Sequence, residues 1–227
     1  MESKKVQSIS DKEVGEVTLA KIKGDLFACV GGKAVVSKNR YRMNVYSDVT
    51  DEKTINKLYK DLCEFANEVP VDSDNYLASY IAVFKDIHAN DEDEFNDLLW
   101  ELLQSLSDID TVPWNKDVSS NIYDANFSYS LGGTAFFVIG LHPKASRVSR
   151  RFPYVTVVFN KRESFCILRQ KGLFEKFQEA TRKNDVRIQG TINRNLADFG
   201  DSSEALQYSG MENSSFKKIK FKAKEVK

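Results

Sequence analysis

Two histidines, His88 and His142, stand among 227 residues, so any site that needs an imidazole has two candidates at most. Cysteine is nearly as scarce. The three thiols, Cys29, Cys63 and Cys166, are odd in number and far apart, with no CxxC spacing. That excludes zinc ribbons, thioredoxin-type redox motifs and a disulfide scaffold, and three reduced thiols suit a cytoplasmic protein. No apolar run approaches about 18 residues, so no segment reads as a membrane span. The stretch from Met1 to Ser8 lacks the apolar core of a secretory signal. Neither sign of charge is in excess: 33 basic and 33 acidic side chains give a formal net charge of zero. A dedicated nucleic-acid binder usually carries a basic surplus, so the expected partners include neither nucleic acid nor membrane.

What is present describes a globular chain. Hydrophobic residues make up 41% and aromatic residues 11%, which excludes disorder across the whole length. At roughly 100–200 residues per domain, one large domain accounts for the chain. Residues 1–24 read as a flexible, mixed-charge arm, 25–212 as the folded domain, and 213–227 as a lysine-rich tail with a solvated end. Tyr41–Tyr46 alternates apolar and polar side chains like a half-buried strand. From Asp51 the period turns helical through Ile55, Leu58, Leu62 and Phe65, with Thr50 or Asp51 as cap and Pro70 as the stop. Tyr76–Lys85 reads as a strand, and the acidic run Asn90–Glu94 as a helix start that the macrodipole favours. Phe127–Ser130, Gly132-Gly133 and Ala135–Leu141 read as a hairpin whose second strand is buried on both faces. Tyr154–Phe159 is another strand, and Glu163–Asn184 a helix with a weak point at Gly172. Strands cluster around hairpins rather than alternating with helices. The pattern predicts an α+β fold, a mainly antiparallel sheet flanked by helices.

The densest constellation follows the second hairpin strand. His142 leaves that strand directly, Pro143 stiffens the exit, and Ser146, Arg147, Ser149, Arg150 and Arg151 come within nine residues. An imidazole at a strand end, beside an apolar wall and several guanidiniums, suits a haem. Iron takes a nitrogen ligand, the macrocycle takes apolar walls, and the propionates take arginine. The plainer reading is a hydrogen-bonded loop histidine with a solvated arginine edge. Cys29, beside Gly31-Gly32, is either a thiolate ligand or nucleophile, or a small buried thiol. Gly31-Gly32-Lys33 is followed by Ala34 and so lacks the phosphate-loop pattern. No nucleophile elbow or HExxH is present. His88 precedes an acidic helix start and reads as a surface loop residue.

The run from Gly132-Gly133 through Ala135-Phe136-Phe137-Val138, Gly140-Leu141-His142-Pro143, Ala145-Ser146-Arg147 and Arg150-Arg151-Phe152-Pro153 resembles the YqcI/YcgG family. So do Cys29 to Ala34, Trp114 with Phe127-Ser128, Gln189-Gly190, Ala197 to Gly200, Ser203-Glu204-Ala205 and Gln207 to Gly210. The likeness spans about Phe27 to Gly210. It implies a haem-dependent N-hydroxylase of the guanitoxin-biosynthesis type. Such an enzyme holds haem b and transfers oxygen to a guanidine, arginine-like or amine nitrogen. It draws on O2 with an electron donor, or on peroxide. The alternative is a non-enzymatic protein that binds or senses haem or a diatomic gas. The resemblance places the iron ligand at His142, assigns Arg147, Arg150 and Arg151 to propionates or a substrate carboxylate, and leaves room for a homodimer. One departure is plain: where many members end in a tryptophan- and cysteine-containing segment, this chain has Phe216 to Phe221.

Overall fold

The computed structural model describes residues 9–193, 201–212 and 214–224. Its helices are α1 (Asp11–Lys23), α2 (Val30–Ser37), α3 (Glu52–Glu68), α4 (Glu92–Ile109), α5 (Glu163–Gln170), α6 (Phe174–Gln189) and the single turn α7 (Ala205–Tyr208). Strands β1 (Tyr41–Tyr46), β2 (Ser79–Phe84), β3 (Tyr129–Leu131), β4 (Thr134–Leu141) and β5 (Val155–Lys161) form one sheet in the order β1-β2-β5-β4-β3. β1 and β2 are parallel, as a crossover through α3 requires. Every other pair is antiparallel, so the α+β expectation holds.

Alternation along the strands gives the sheet two covered faces. Tyr80, Ala82 and Phe84 of β2, Val157 and Phe159 of β5, and Phe136 and Val138 of β4 meet Leu58, Leu62 and Phe65 of α3 and Phe95, Leu99 and Leu103 of α4. Each such side chain, fully withdrawn from water, stabilises the fold by about 1.5–3 kcal/mol before its ordering entropy is counted. The opposite face carries Ile81, Val83 and Leu141, which pack with Val14, Ile22, Phe27 and Val36 from α1, the loop after it and α2.

Local chemistry explains most element ends. Asp51 caps α3 by accepting from the Thr54 amide at 2.9 Å, and Asp91 caps α4 by accepting from Glu94 N–H at 2.8 Å. The hairpin turns through Gly132 (φ 56°) and Gly133 (φ 74°), the left-handed pair that a two-residue connection requires. Three expectations differ. The arm assigned to residues 1–24 is a helix over Asp11–Lys23, closed by a Ser10–Glu13 capping box and buried through Val14, Thr18 and Ile22; residues 1–8 lie outside the described residues. The helix expected over Glu163–Asn184 breaks at Gly172 into α5 and α6, and α6 runs on to Gln189. Among the described residues, no helix is long and apolar enough to cross a membrane.

The third difference is the C-terminal segment, expected as a lysine-rich tail with a solvated end. Lys217, Lys220 and Lys222 are exposed while Ile219 is buried, and Phe221 sits among Trp100, Trp114, Phe127 and Tyr129 at ring-centroid distances of 5.6–6.3 Å. Lys224 Nζ donates to the carbonyls of Asp108 and Asp110 at 2.8 and 2.9 Å, closing the C-terminal end of α4. Lys218 pairs with Asp93 near the other end of that helix. The segment is a strap over α4. Phe221→Ala is expected to lower unfolding free energy by about 1–3 kcal/mol in urea titrations, through lost aromatic packing; an unchanged midpoint would place the strap outside the core.

Candidate functional site

A cavity of about 310 Å³ lies on the sheet face opposite α3 and α4. Its floor is the row Ile81, Val158 and Ile139, which are direct cross-strand partners, flanked by Leu141, Ser79, Asn160 and Phe137. Its roof is α2, α5 and α6, through Val35, Phe165, Phe174 and Phe177. The volume is at the small end for ligand pockets, and the wall has their usual makeup: mostly apolar, with a few convergent polar groups.

Those polar groups are Cys29, Arg147, Arg150, Arg162, Asp185 and Glu204 among others. Cys29 is the N-cap of α2, and its sulfur accepts from the Gly32 amide at 3.3 Å. The residue before it is held twice. The Ala28 amide donates to Ser149 Oγ at 2.9 Å, and its carbonyl accepts from Asn184 Nδ2 at 3.2 Å. The thiol therefore hangs between the arginine segment and α6. Burial pushes its pKa up, against the amides of Gly32 and Gly31 and the positive field of Arg150.

The two cavity arginines differ in kind. Arg147 is neutralised: its guanidinium donates to Asp185 Oδ2 at 2.5 Å, Glu212 Oε1 at 2.6 Å and the Thr191 carbonyl at 2.6 Å. The guanidinium of Arg150 instead donates to the backbone carbonyls of Gly140, Tyr208 and Gln207, each at 3.1 Å. Among the described residues it has no carboxylate partner. Burial brings its pKa down to about 10, with Arg147 adding to the shift, so it remains a cation at neutral pH. A half-buried cation held by carbonyl dipoles is less fully compensated than one paired directly with a carboxylate. Arg151 is exposed and donates to the carbonyls of Ala145 and Ser146, holding its own loop.

His142 is elsewhere. It follows β4 in the parity of Phe136, Val138 and Gly140, which points it toward α4 and away from the cavity face. Its ring stacks on Phe95, with centroids 4.1 Å apart and planes inclined by 9°. A Cβ on Gly140 would stand 2.6 Å from that Phe95 ring, so the glycine is what lets the stack approach the strand. Both ring nitrogens are buried and have no hydrogen-bond partner among the described residues. Burial lowers the pKa to about 4 from 6.5, so the imidazole is neutral at physiological pH. The residue expected to carry iron is thus absent from the cavity wall, while Cys29, Arg147 and Arg150 are on it. Arg151 is not. Among the described residues, no group of three or more His, Cys, Asp or Glu is placed to hold a bare metal ion. An iron already held by a macrocycle needs one protein ligand.

Sequence reasoning passed over Arg162, Asp185 and Glu204. Glu204 is buried, pairs with Arg162 Nη1 at 2.8 Å and faces the cavity. Its available signal was the Ser203-Glu204-Ala205 motif, where an acidic side chain interrupts a small-residue stretch.

The buried histidine makes stability depend on acid. An unfolded chain binds a proton at His142 below about pH 6.5, whereas the folded one resists until about pH 4, so stability is complete above the first value and falls through this window. The loss is about 3 kcal/mol. Urea unfolding at both ends of the window is expected to show it in the natural chain and to show less in His142→Leu; equal acid sensitivity in the two would remove His142 as its source.

Comparison with known proteins agrees with the span of this architecture. The model of the YqcI/YcgG family matches residues 18–221. Two proteins of Bacillus subtilis (strain 168) are similar. Uncharacterized protein YqcI is 27% identical over 151 residues, 63% of this chain and 58% of its own. Uncharacterized protein YcgG is 25% identical over 146 residues, 62% and 57% respectively. The matches thus span less than two thirds of either relative's length. No solved structure matches significantly. With the family model covering α2 to the strap, including the cavity, the cysteine cap and the arginine segment, the chain belongs to the YqcI/YcgG family.

Proposed function

We propose that this chain is a haem-dependent N-oxygenase whose cofactor and substrate share the cavity beneath α2, α5 and α6. The observation that carries the reading is the wall itself: a thiol at a helix N-terminus and a half-buried guanidinium with no carboxylate partner among the described residues face one apolar space. A haem fits these residues. Apolar walls suit the macrocycle, Arg150 suits a propionate or a substrate carboxylate, and Cys29 offers the sulfur donor. Coordination would deprotonate the thiol despite its burial, and the Gly32 amide is already directed at the sulfur. Cys29 therefore replaces His142 as the residue that would hold iron.

When bound, haem supplies transfer of one oxygen from O2 with donated electrons, or from peroxide, to a substrate nitrogen. The chain's own groups do the rest. Arg150 anchors an anion at the α7 end of the cavity, where its guanidinium is already fixed by three carbonyls. Phe137, Ile139, Val158 and Phe177 exclude water from the reacting region. Arg147, tied to Asp185 and Glu212, holds the arginine segment against α6 and keeps Ser149 on the Ala28 amide. A guanidine, arginine-like or amine substrate brings a nitrogen to this space and, where it has one, a carboxylate to Arg150.

Protein expressed with haem precursor is expected to show a Soret band at roughly one haem per chain. Cys29→Ser should abolish or shift that band, whereas His142→Ala should retain it. A colourless preparation that ignores added hemin would overturn the reading; a band lost only in His142→Ala would return the ligand to the histidine. Mass spectrometry is expected to show one added oxygen atom on an arginine-like substrate, with reductant or peroxide. A Soret band without such a gain across an amine panel would leave haem binding or sensing.

A further inference from the structure

The cavity wall also carries a buried carboxylate that the reading above does not use, Glu204. It approaches from the turn before α7 and is 4% exposed. Oε2 accepts from Arg162 Nη1 at 2.8 Å, and Oε1 accepts from Ser128 Oγ at 2.8 Å and Tyr208 Oη at 3.0 Å. Arg162 is the cation facing it from the β5–α5 junction, Tyr208 the titratable neighbour on α7, and Ser128 the hydroxyl preceding β3. Arg150 is one step away, on the carbonyls of Gln207 and Tyr208. A structural ion pair would need no more than this.

The two hydroxyls add something a static pair does not require. Ser128 Oγ also lies 3.2 Å from the Phe136 carbonyl, and Tyr208 Oη lies 3.3 Å from the same oxygen. Each hydroxyl has one proton to donate and two acceptors within reach. With Glu204 ionised, both donate to Oε1. With Glu204 protonated at Oε1, the new O–H donates to Ser128 Oγ, the Ser128 proton turns to the Phe136 carbonyl, and Tyr208 keeps its bond. The ionised form draws both hydroxyl protons to the carboxylate and the protonated form returns one to the Phe136 carbonyl, so the network has a hydrogen-bond arrangement for the carboxyl in both forms. Tyr208 Oη meanwhile accepts from the Tyr129 amide at 3.0 Å, which fixes it in place during the exchange.

We propose that Glu204 is the proton-exchanging carboxyl of this cavity and the base that takes the proton from a cationic nitrogen substrate held there. In that step an N–H bond of the substrate breaks and an O–H bond forms on the Glu204 carboxylate. The electron pair stays on nitrogen, which becomes the neutral atom that oxygen transfer needs. Burial raises the carboxyl to about 7, against the lowering effect of Arg162, Ser128 and Tyr208, which is where a base operating at neutral pH is best placed. The service to an oxygenation rests on the function proposed above; the proton exchange itself rests only on the cavity wall.

Infrared difference spectroscopy on the cofactor-free full chain, isotopically labelled at glutamate carboxyls, tests it from about pH 5 to about pH 9. A buried carboxylic-acid band should disappear as pH rises through neutrality and be absent throughout in Glu204→Gln. Should that variant fail to fold by near-ultraviolet circular dichroism, Ser128→Ala decides. Removing one donor to the carboxylate is expected to move the same transition to higher pH. No glutamate band changing near neutrality, a transition that persists in Glu204→Gln, or one unmoved by Ser128→Ala would overturn the proposal. A colourless protein that shows the transition would sink the haem reading and leave proton exchange standing.

Discussion

Strand β4 has to serve two environments at once, and the period of two in its backbone divides its side chains between them. Phe136 and Val138 enter the packed core under α3 and α4, while Phe137, Ile139 and Leu141 line the cavity under α2, α5 and α6. Gly140 belongs to the first set. Its missing side chain admits Phe95, its carbonyl receives Arg150, and the strand's exit delivers His142 onto the Phe95 ring. The antiparallel pairing with β5 sets this register, placing Gly140 opposite Val157 and Ile139 opposite Val158. A slip of one residue would exchange the two faces and remove both the stack and the cavity floor.

Buried charge is concentrated around that cavity, and each case is handled differently. Arg147 is paired with two carboxylates, Arg162 and Glu204 neutralise one another, and Arg150 is held, among the described residues, by backbone carbonyls. Pairs of the first kind cost about as much to desolvate as they return, so their role is to fix positions more than to add stability. Arg147 illustrates this by joining the loop after β4 to α6, which in turn sets where Cys29 hangs. Arg150 is the exception: among the described residues no carboxylate pairs with it, and three backbone carbonyls hold its guanidinium at the cavity wall. On the other face Lys161 is buried as well, yet its ammonium donates to the carbonyls of Ala66 and Val69 at 2.6 and 2.5 Å and ends α3. There a buried cation is a cap.

Most secondary structure was legible because its signals are local. The Asp51 cap with the Leu58, Leu62 and Phe65 spacing marks α3, the acidic run marks the start of α4, and the glycine pair marks the hairpin. Helix α1 carried an equally local signal in Ser10 and Glu13, but its polar surface outweighed the sparse stripe of Val14, Thr18 and Ile22. The strap was obscured by the same averaging: lysine at alternate positions hides Ile219 and Phe221, whose partners are contributed by α4 and residues 114–129. Cys29, Arg147 and Arg150, which line the cavity, were recognisable as candidates from motif and charge. Glu204 was less so, because its meaning depends on Arg162, Ser128 and Tyr208, which converge from separate parts of the chain.

By itself the sequence determined most element types, though not α1 or α2, together with the mainly antiparallel α+β class and the residues worth watching, since periodicity, caps and turn glycines act over a few positions. Tertiary structure alone decided which of those residues meet. A cysteine and an arginine 121 positions apart share one cavity, and the histidine eight residues before that arginine faces the other side of the sheet. Side of sheet is a property of strand register and helix packing, both set by contacts far apart in the chain. No local pattern encodes it.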